Sequence, residues 1–302
     1  MSDLIVQLAG TPAGELLALS LALLSALAHA IFGAINKGGL DPFLNRGAIN
    51  IVYSLIAAPF ALFVFPLPAA DLIPILIVVY FVHLLYEWLQ AASFHRGAFT
   101  VVYPISRGTG PFFTAIIAIF VFSEHLRPGQ WFGLLVLSGS IVSLALANLA
   151  EKRREGVHPR DMQAAIGIAV ATGLMIAVYT TIDAYGIRLA ANPFTFLSWF
   201  FFMGGFGFPI VAALRWRRLT VRPAIGDLAV RGIFGALIAF ISFGAVMLAT
   251  RVGKVGEVAA LRETSIIFAT AIGVLIFREK IDAKRVAIIF SVAAGAVLIE
   301  LG

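Results

Sequence analysis

The sequence repeats itself with an offset of 155 residues, and each copy carries an arginine inside an apolar segment. Arg107 lies in residues 98–122, and Arg262 lies in residues 255–277. The same ungapped offset aligns further identical pairs: Arg96 with Arg251, Thr109 with Thr264, Phe113 with Phe268, Ile117 with Ile272, Phe122 with Phe277 and Glu124 with Glu279. An arginine near the middle of a bilayer costs about 2.5–3.5 kcal/mol on insertion scales. We therefore expect a chain that keeps two of them at equivalent positions to use them.

The composition indicates a protein that crosses a membrane several times. Hydrophobic residues make up 61% of the 302 residues and charged residues 13%, whereas a soluble domain averages about 25% charged residues. The chain has no cysteine, which excludes disulfides, thiolate metal sites and thiol nucleophiles. The first 14 residues contain no Lys or Arg. They lack the basic segment of a signal peptide, so we expect the first span to be retained.

Ten segments are long and apolar enough for transmembrane helices, each of which needs about 20 residues. They are residues 15–35, 47–65, 72–93, 98–122, 129–150, 163–187, 194–214, 226–250, 255–277 and 283–301. The sequence therefore predicts an all-α membrane protein of ten transmembrane helices. Residues 1–150 would form a first five-helix repeat, 151–162 a linker and 163–302 a second repeat. Because each repeat has an odd number of helices, the two have inverted topology, which recurs in secondary transporters.

The distribution of basic residues predicts the orientation. The loops after the odd-numbered spans hold fifteen Lys and Arg residues. The loops on the other side hold four, namely Arg127, Arg188, Arg251 and Lys254. By the positive-inside rule the odd loops are cytoplasmic. We thus expect a multi-pass protein of the cell (inner) membrane with both termini outside.

Three motifs carry a resemblance to a known family. They are Ser25-Ala-Leu-Ala-His29-Ala followed by Lys37 and Asp41-Pro42, then Tyr103-Pro-Ile-Ser-Arg107-Gly-Thr-Gly-Pro111, and Leu261-Arg262-Glu263-Thr264-Ser265. With the acidic residues Glu124 and Glu279 after spans four and nine, the chain resembles the EamA family of the drug/metabolite transporter superfamily. The resemblance implies ten helices in two repeats and, usually, metabolite export. Plastid phosphate translocators of that superfamily use basic residues on the same two helices, which implies an anion site here.

The two arginines are the main candidates for substrate binding. Pro104 and Pro111 flank Arg107 and each removes a backbone hydrogen bond, so we expect a loosened helix and a central cavity there. A guanidinium binds a carboxylate or phosphonate through two parallel hydrogen bonds. Arg262 would face Arg107 across the cavity. Three neighbours, Tyr103, Thr109 and Thr264, are predicted to complete the substrate site. The alternative is that each arginine pairs with an acidic side chain and only holds helices together.

Other polar residues within the spans are candidates for coupling or further substrate contacts. Glu263 points about 100° away from Arg262 on the helix, so it should meet another helix, as a counter-charge or as a proton carrier. His83 and Glu87 are four residues apart and share one face. They could relay protons, bind a substrate amine or join helices.

Two more sites in the spans have both a binding and a packing interpretation. His29 lies alone on an apolar, small-residue face, where it would contact substrate or pack as a hydrogen-bonded histidine. Asp183 and Tyr179 would contact a substrate ammonium or join helices. All three stay substrate candidates at this stage.

These residues favour a secondary active transporter, an exporter or exchanger, for a small anionic or zwitterionic metabolite such as an amino acid or aminophosphonate. The alternative is a flippase for a phosphate-bearing lipid-linked substrate. The sequence has no Walker motif and none of the hydrolase or metalloprotease motifs, so we expect neither ATP-driven transport nor an enzyme. We expect no cofactor, metal or nucleic-acid partner. The partners would be the substrate, the lipid bilayer and a coupling proton, with the chain as a monomer or homodimer.

Overall fold

The computed structural model describes residues 2–36, 40–96, 99–154, 159–275 and 283–301, and all regular secondary structure in these ranges is helical. The helices are α1 (Ser2–Leu8), α2 (Pro12–Asn36), α3 (Pro42–Pro59), α4 (Leu72–Arg96), α5 (Phe99–Phe122), α6 (Pro128–Arg154), α7 (Pro159–Leu189), α8 (Pro193–Gly204), α9 (Phe208–Arg218), α10 (Ile225–Val252), α11 (Val255–Arg262), α12 (Ser265–Leu275) and α13 (Ala283–Leu301). A π-helical turn, Phe60–Val64, extends α3. The predicted all-α class is confirmed.

Eight helical segments among the described residues are long and apolar enough to cross a membrane. One of the eight comprises α8 and α9 together, Pro193–Arg218, with a turn at Gly205–Gly207. The ninth predicted span is divided into α11 and α12, and the tenth corresponds to α13. The chain is thus a multi-pass helical membrane protein.

Residues at the helix starts explain two of the boundaries. The Asp41 carboxylate accepts hydrogen bonds from the backbone N–H groups of Phe43, at 3.0 Å, and Leu44, at 3.3 Å. The Asn192 side chain accepts one from the Phe194 N–H at 2.9 Å. Both caps precede a proline at the first helical position, where its missing N–H removes no helical bond.

The helices pack in a regular pattern of neighbours. Helix α2 packs along α10 and α12, α7 packs along α4 and α5, and α6 packs along α13. Helix α3 packs on α8, α9 and α10. We name the two ends of this bundle by the connections there. The α2–α3 end holds the contact of Arg231 with the Ile35 carbonyl, and the α10–α11 end holds the contacts of Arg188 with the carbonyls of Thr250 and Gly253.

The predicted loosening of the helix around Arg107 is wrong. Helix α5 runs unbroken through positions 104 and 111, whereas the chain turns at Glu263–Thr264, directly after Arg262. Neighbouring helices pack closely against α5 here, since a Cβ at Gly108 would meet Ile141 of α6 at 3.0 Å and one at Gly110 would meet Ile176 of α7 at 2.9 Å. Neighbouring helices of this kind make prolines tolerable within a span.

Candidate functional site

Arg107 lies at the meeting point of three helices. Its side chain is buried, with 2% of its surface exposed. Nη1 donates to Oε1 of Glu263 at 2.9 Å, and Nη2 makes a short hydrogen bond to Nε2 of His29. The guanidinium carbon lies 5.6 Å from the centre of the Tyr103 ring. Helices α2 and α5 and the turn after α11 are therefore joined through one cation.

Arg262 is the last residue of α11 and has a different environment. Its Nη1 donates to the Tyr179 hydroxyl and its Nη2 to the Ser242 hydroxyl, both at 3.4 Å. Its guanidinium lies over the Phe243 ring, 4.9 Å from the centroid. Among the described residues no carboxylate is within ion-pair distance of Arg262, and its Nε has no hydrogen-bond partner. Arg262 is thus a buried cation held by hydroxyls and an aromatic face.

A cavity of about 400 Å³ opens at the α2–α3 end. Its polar wall includes His29, Tyr103, Arg46, Glu87 and Arg231. Because His29 and Tyr103 both contact Arg107, that guanidinium lies directly behind the cavity wall. A small molecule of this volume would therefore meet a basic, hydrogen-bonding surface.

A second cavity, of about 730 Å³, lies at the α10–α11 end. It is lined by the four basic residues Arg127, Arg188, Arg251 and Lys254, and by Glu15, Glu124 and Glu257. Leu261, the residue before Arg262, also lines it. Glu124 accepts hydrogen bonds from the Val255 and Gly256 N–H groups at 2.8 and 3.2 Å, so it caps α11.

Glu87 and His83 have partners on different helices. Glu87 forms an ion pair with Nη2 of Arg46 and accepts a hydrogen bond from Nδ2 of Asn50 at 2.7 Å, both on α3. His83 makes its contact on α7, where Nε2 lies 2.8 and 3.0 Å from the two carboxylate oxygens of Asp183. The predicted shared face is nevertheless visible, since both residues line one small cavity between α3, α4 and α8.

Of the predicted substrate residues, His29 and Tyr103 line a large cavity. Arg107 and Arg262 line neither, so the expected facing of the two arginines across a cavity is not observed. The other four also lie away from both large cavities. The Thr109 hydroxyl donates to the Ile105 carbonyl of its own helix at 3.0 Å and faces Gly173 of α7. The Thr264 hydroxyl donates to the Leu261 carbonyl at 2.7 Å, within the turn that ends α11. Asp183 contacts His83, and Tyr179 contacts Arg262. Lys37 and Glu279 lie outside the described residues.

Sequence reasoning missed Arg46 as a site residue and treated it as a loop cation. It is 9% exposed and lies one turn inside α3, on the same face as Asn50 four residues later. The signal was available in the Asp41-Pro42 pair, because a cap and a first-turn proline start the helix at Pro42 and so bring Arg46 within it.

Comparisons with known proteins agree with this architecture. Residues 163–301 match the model of the EamA-like transporter family. A solved crystal structure is similar over 96% of this chain and 96% of that structure's chain. The TM-score is 0.71 and the sequence identity 16%, which shows a shared fold. No curated protein matches the chain. The family match covers a little less than half of the chain, and residues 163–301 are therefore the part that is similar to the EamA-like transporter family.

Proposed function

We propose that the protein is a secondary active transporter that moves a small anionic or zwitterionic metabolite, such as an amino acid or an aminophosphonate, as an exporter or exchanger. The match of residues 163–301 to the EamA-like transporter family supports membrane transport. The substrate class rests on the buried arginines.

The unpaired state of Arg262 is the observation that carries the proposal. A buried cation without an anion costs several kcal/mol, and buried polar atoms normally have partners. Yet Nε of Arg262, Nδ1 of His29 and Oε2 of Glu263 have none among the described residues. The two nitrogens suit the oxygens of a carboxylate or phosphonate, and the free carboxylate oxygen suits an ammonium group. This set of unused donors and an acceptor matches a zwitterion.

The packing supports alternating access between two inverted repeats. Under the 155-residue offset α2 corresponds to α7. Its neighbours α10 and α12 correspond to α4 and α5, which are the neighbours of α7. The same offset places α6 on α13, and these two helices pack on each other. The proposal counts α8–α9 and α11–α12 each as one interrupted span, and it includes α13, to reach ten spans. Arg107 contacts two residues that line the cavity at one end, and Leu261, next to Arg262, lines the cavity at the other. The proposal puts the substrate between these ends, as in other transporters built from repeats.

A binding screen on the purified protein tests the substrate class. We expect alanine, glutamate, 2-aminoethylphosphonate or succinate to raise the melting temperature. At about 100 times its Kd a ligand stabilises the native state by about 2.7 kcal/mol. The stabilising compound should then enter proteoliposomes in radiolabelled form. If none of these anions and zwitterions stabilises or enters, the proposed substrate class is wrong.

A flippase for a phosphate-bearing lipid is the second candidate, because an apolar groove lies on the flank of the bundle. The groove has a volume of about 450 Å³ and is formed by α2, α3, α8 and α10, with Leu24, Phe60 and Ile241 among its exposed residues. It could hold an acyl or prenyl chain. A fluorescent polyprenyl phosphate that becomes accessible to quencher in the outer leaflet of proteoliposomes would favour this candidate over the first.

A further inference from the structure

His83 and Asp183 form a buried pair outside the two large cavities. The His83 side chain is 9% exposed and the Asp183 side chain 5% exposed. Nε2 of His83 lies between the two Asp183 oxygens, and its Nδ1 makes no hydrogen bond to the described residues. The carboxylate and the imidazole both accept protons, so together they can hold one more proton or one fewer.

A small cavity lies beside His83 and shares one lining residue, Glu87, with the 400 Å³ cavity at the α2–α3 end. Its volume of about 20 Å³ is enough for about one water molecule. His83, Glu87, Tyr53 and Tyr80 line it. A proton could therefore pass from the cavity at the α2–α3 end to Glu87, then to one water and to Nδ1 of His83.

The charges at the centre of the described structure balance when His83 is neutral. Three buried arginines, Arg46, Arg107 and Arg262, are matched by three buried carboxylates, Glu87, Glu263 and Asp183. Two of these carboxylates pair directly with arginines, Glu87 with Arg46 and Glu263 with Arg107. The fourth buried carboxylate, Glu124, pairs with Arg188 at the α10–α11 end. A proton on the His83–Asp183 pair would leave one positive charge at the centre, and Arg262 is the arginine without a direct partner.

Two aromatic side chains connect the pair with Arg262. The Tyr179 ring centre is 4.7 Å from that of His83, and its hydroxyl accepts the hydrogen bond from Arg262. Phe243 of α10 lies 6.3 Å from His83 and under the Arg262 guanidinium. A change of charge at the pair is therefore transmitted to Arg262 over a short path.

Each helix packed around the His83–Asp183 pair contributes further aromatic, titratable or charged groups. Helix α4 contributes Tyr86 at 6.2 Å between ring centres, besides Tyr80 and Glu87. Helix α3 contributes Tyr53, and α8 contributes Phe200 at 4.8 Å. Arg262 of α11 is the nearest cation that lacks an ion pair among the described residues. Asp183 is thus the carboxylate whose protonation changes the balance without breaking an existing arginine ion pair.

We propose that the His83–Asp183 pair is a proton-binding site linked to the anion site at Arg262, so that one proton is bound together with one negative charge of the substrate. The inference rests on the proposed function for the anion, but the proton site can be tested alone. Linkage of this sign makes proton and anion cross together. A proton that crosses together with the anion cannot drive the export of that anion against an inward proton gradient. Of the two modes proposed above, exporter and exchanger, the linkage therefore favours the exchanger.

The first experiment tests the proton site without substrate. Histidine side chains labelled with nitrogen-15 are followed by NMR in nanodiscs over the pH range in which the protein stays folded. We expect the His83 signals, assigned as those lost in His83→Asn, to move with pH and to stop moving in Asp183→Asn. The matched control is His125→Asn, which should leave them unchanged. A His83 signal that stays fixed in the wild type would refute the site, and His83→Gln provides the assignment if His83→Asn does not fold.

The second experiment measures the linkage with succinate and 2-aminoethylphosphonate as probes. For one linked proton, affinity should rise by up to about tenfold per unit fall in pH. In Asp183→Asn, which mimics the protonated acid, affinity should be high and independent of pH. An unchanged pH dependence in that variant would refute the linkage. If neither probe binds at any pH, the proposed substrate class fails, whereas the NMR titration still decides the proton site.

Discussion

Arg107 of α5 and Glu263 in the turn after α11 form a buried ion pair, with 2.9 Å between Nη1 and Oε1. The pair joins the first 150 residues to the last 140 or so at the depth where both spans carry their arginine. Removing one partner of such a pair leaves an uncompensated buried charge.

Glu263→Gln should therefore destabilise the protein strongly, by about 3–5 kcal/mol. The measurement is unfolding in detergent for Glu263→Gln, Arg107→Gln and the double variant. Because Arg107 keeps only His29 when Glu263 is neutral, the double variant should lose less stability than the two single losses added together. Strict additivity would show that the two side chains do not interact in solution.

Arg262→Met should behave in the opposite way. It removes a buried cation without breaking a direct ion pair among the described residues, and the His83–Asp183 pair can bind a proton to restore the charge balance, so stability should stay the same or rise. Uptake of the compound identified by the screen should be lost. The matched control is Arg127→Met, at the α10–α11 end. A variant that unfolds like Glu263→Gln, or that still transports, would mean that Arg262 only holds helices together.

Glu124→Ala should lower stability by about 1–2 kcal/mol, because it removes the cap of α11 and the partner of Arg188. Thermal unfolding measures the loss. Glu15→Ala is the control, since Glu15 lines the same cavity but is exposed. Equal effects of the two substitutions would argue against a capping role.

Gly295→Ala should destabilise the contact between α6 and α13. An added Cβ there would lie 2.7 Å from the Leu137 backbone nitrogen and 2.8 Å from the Gly133 carbonyl oxygen. Overpacking of this kind costs about 1–3 kcal/mol. Gly139→Ala, on the same α6 but with nothing within 4 Å of its Cβ, should be neutral or slightly stabilising. The melting temperatures of the two variants decide the point.

Much of this architecture could be predicted from the sequence because it depends on local signals. Apolar segments of sufficient length predicted most of the helices. The start of α3 at Pro42 was missed, since the second span was predicted from residue 47, although Asp41-Pro42 marks that start. The 100° separation of Arg262 and Glu263 predicted that Glu263 would meet another helix, and it does so at Arg107. The proposed substrate roles of both arginines stay predictions.

The contacts between distant helices could not be predicted in the same way. His83 and Asp183 are 100 residues apart, and nothing local in either helix specifies the other. In spans that are apolar on every side, periodicity does not define which face meets which neighbour. The turn at Glu263–Thr264 was missed for a related reason. Prolines mark a weak point in α5, but that helix continues past them with α6 and α7 packed closely against it, while α11 ends without a proline or glycine at the turn.

The turn at Glu263–Thr264 divides the ninth span into two helices that need not move as one body. The start of α11 is held by hydrogen bonds to the Glu124 carboxylate, while α12 packs along α2. A rigid rod would have to tilt as a whole and disturb the walls at both ends in one movement. With a turn within the span, α12 could move while α11 stays fixed. The cavity at one end of the bundle could then widen while the packing at the other end stays unchanged.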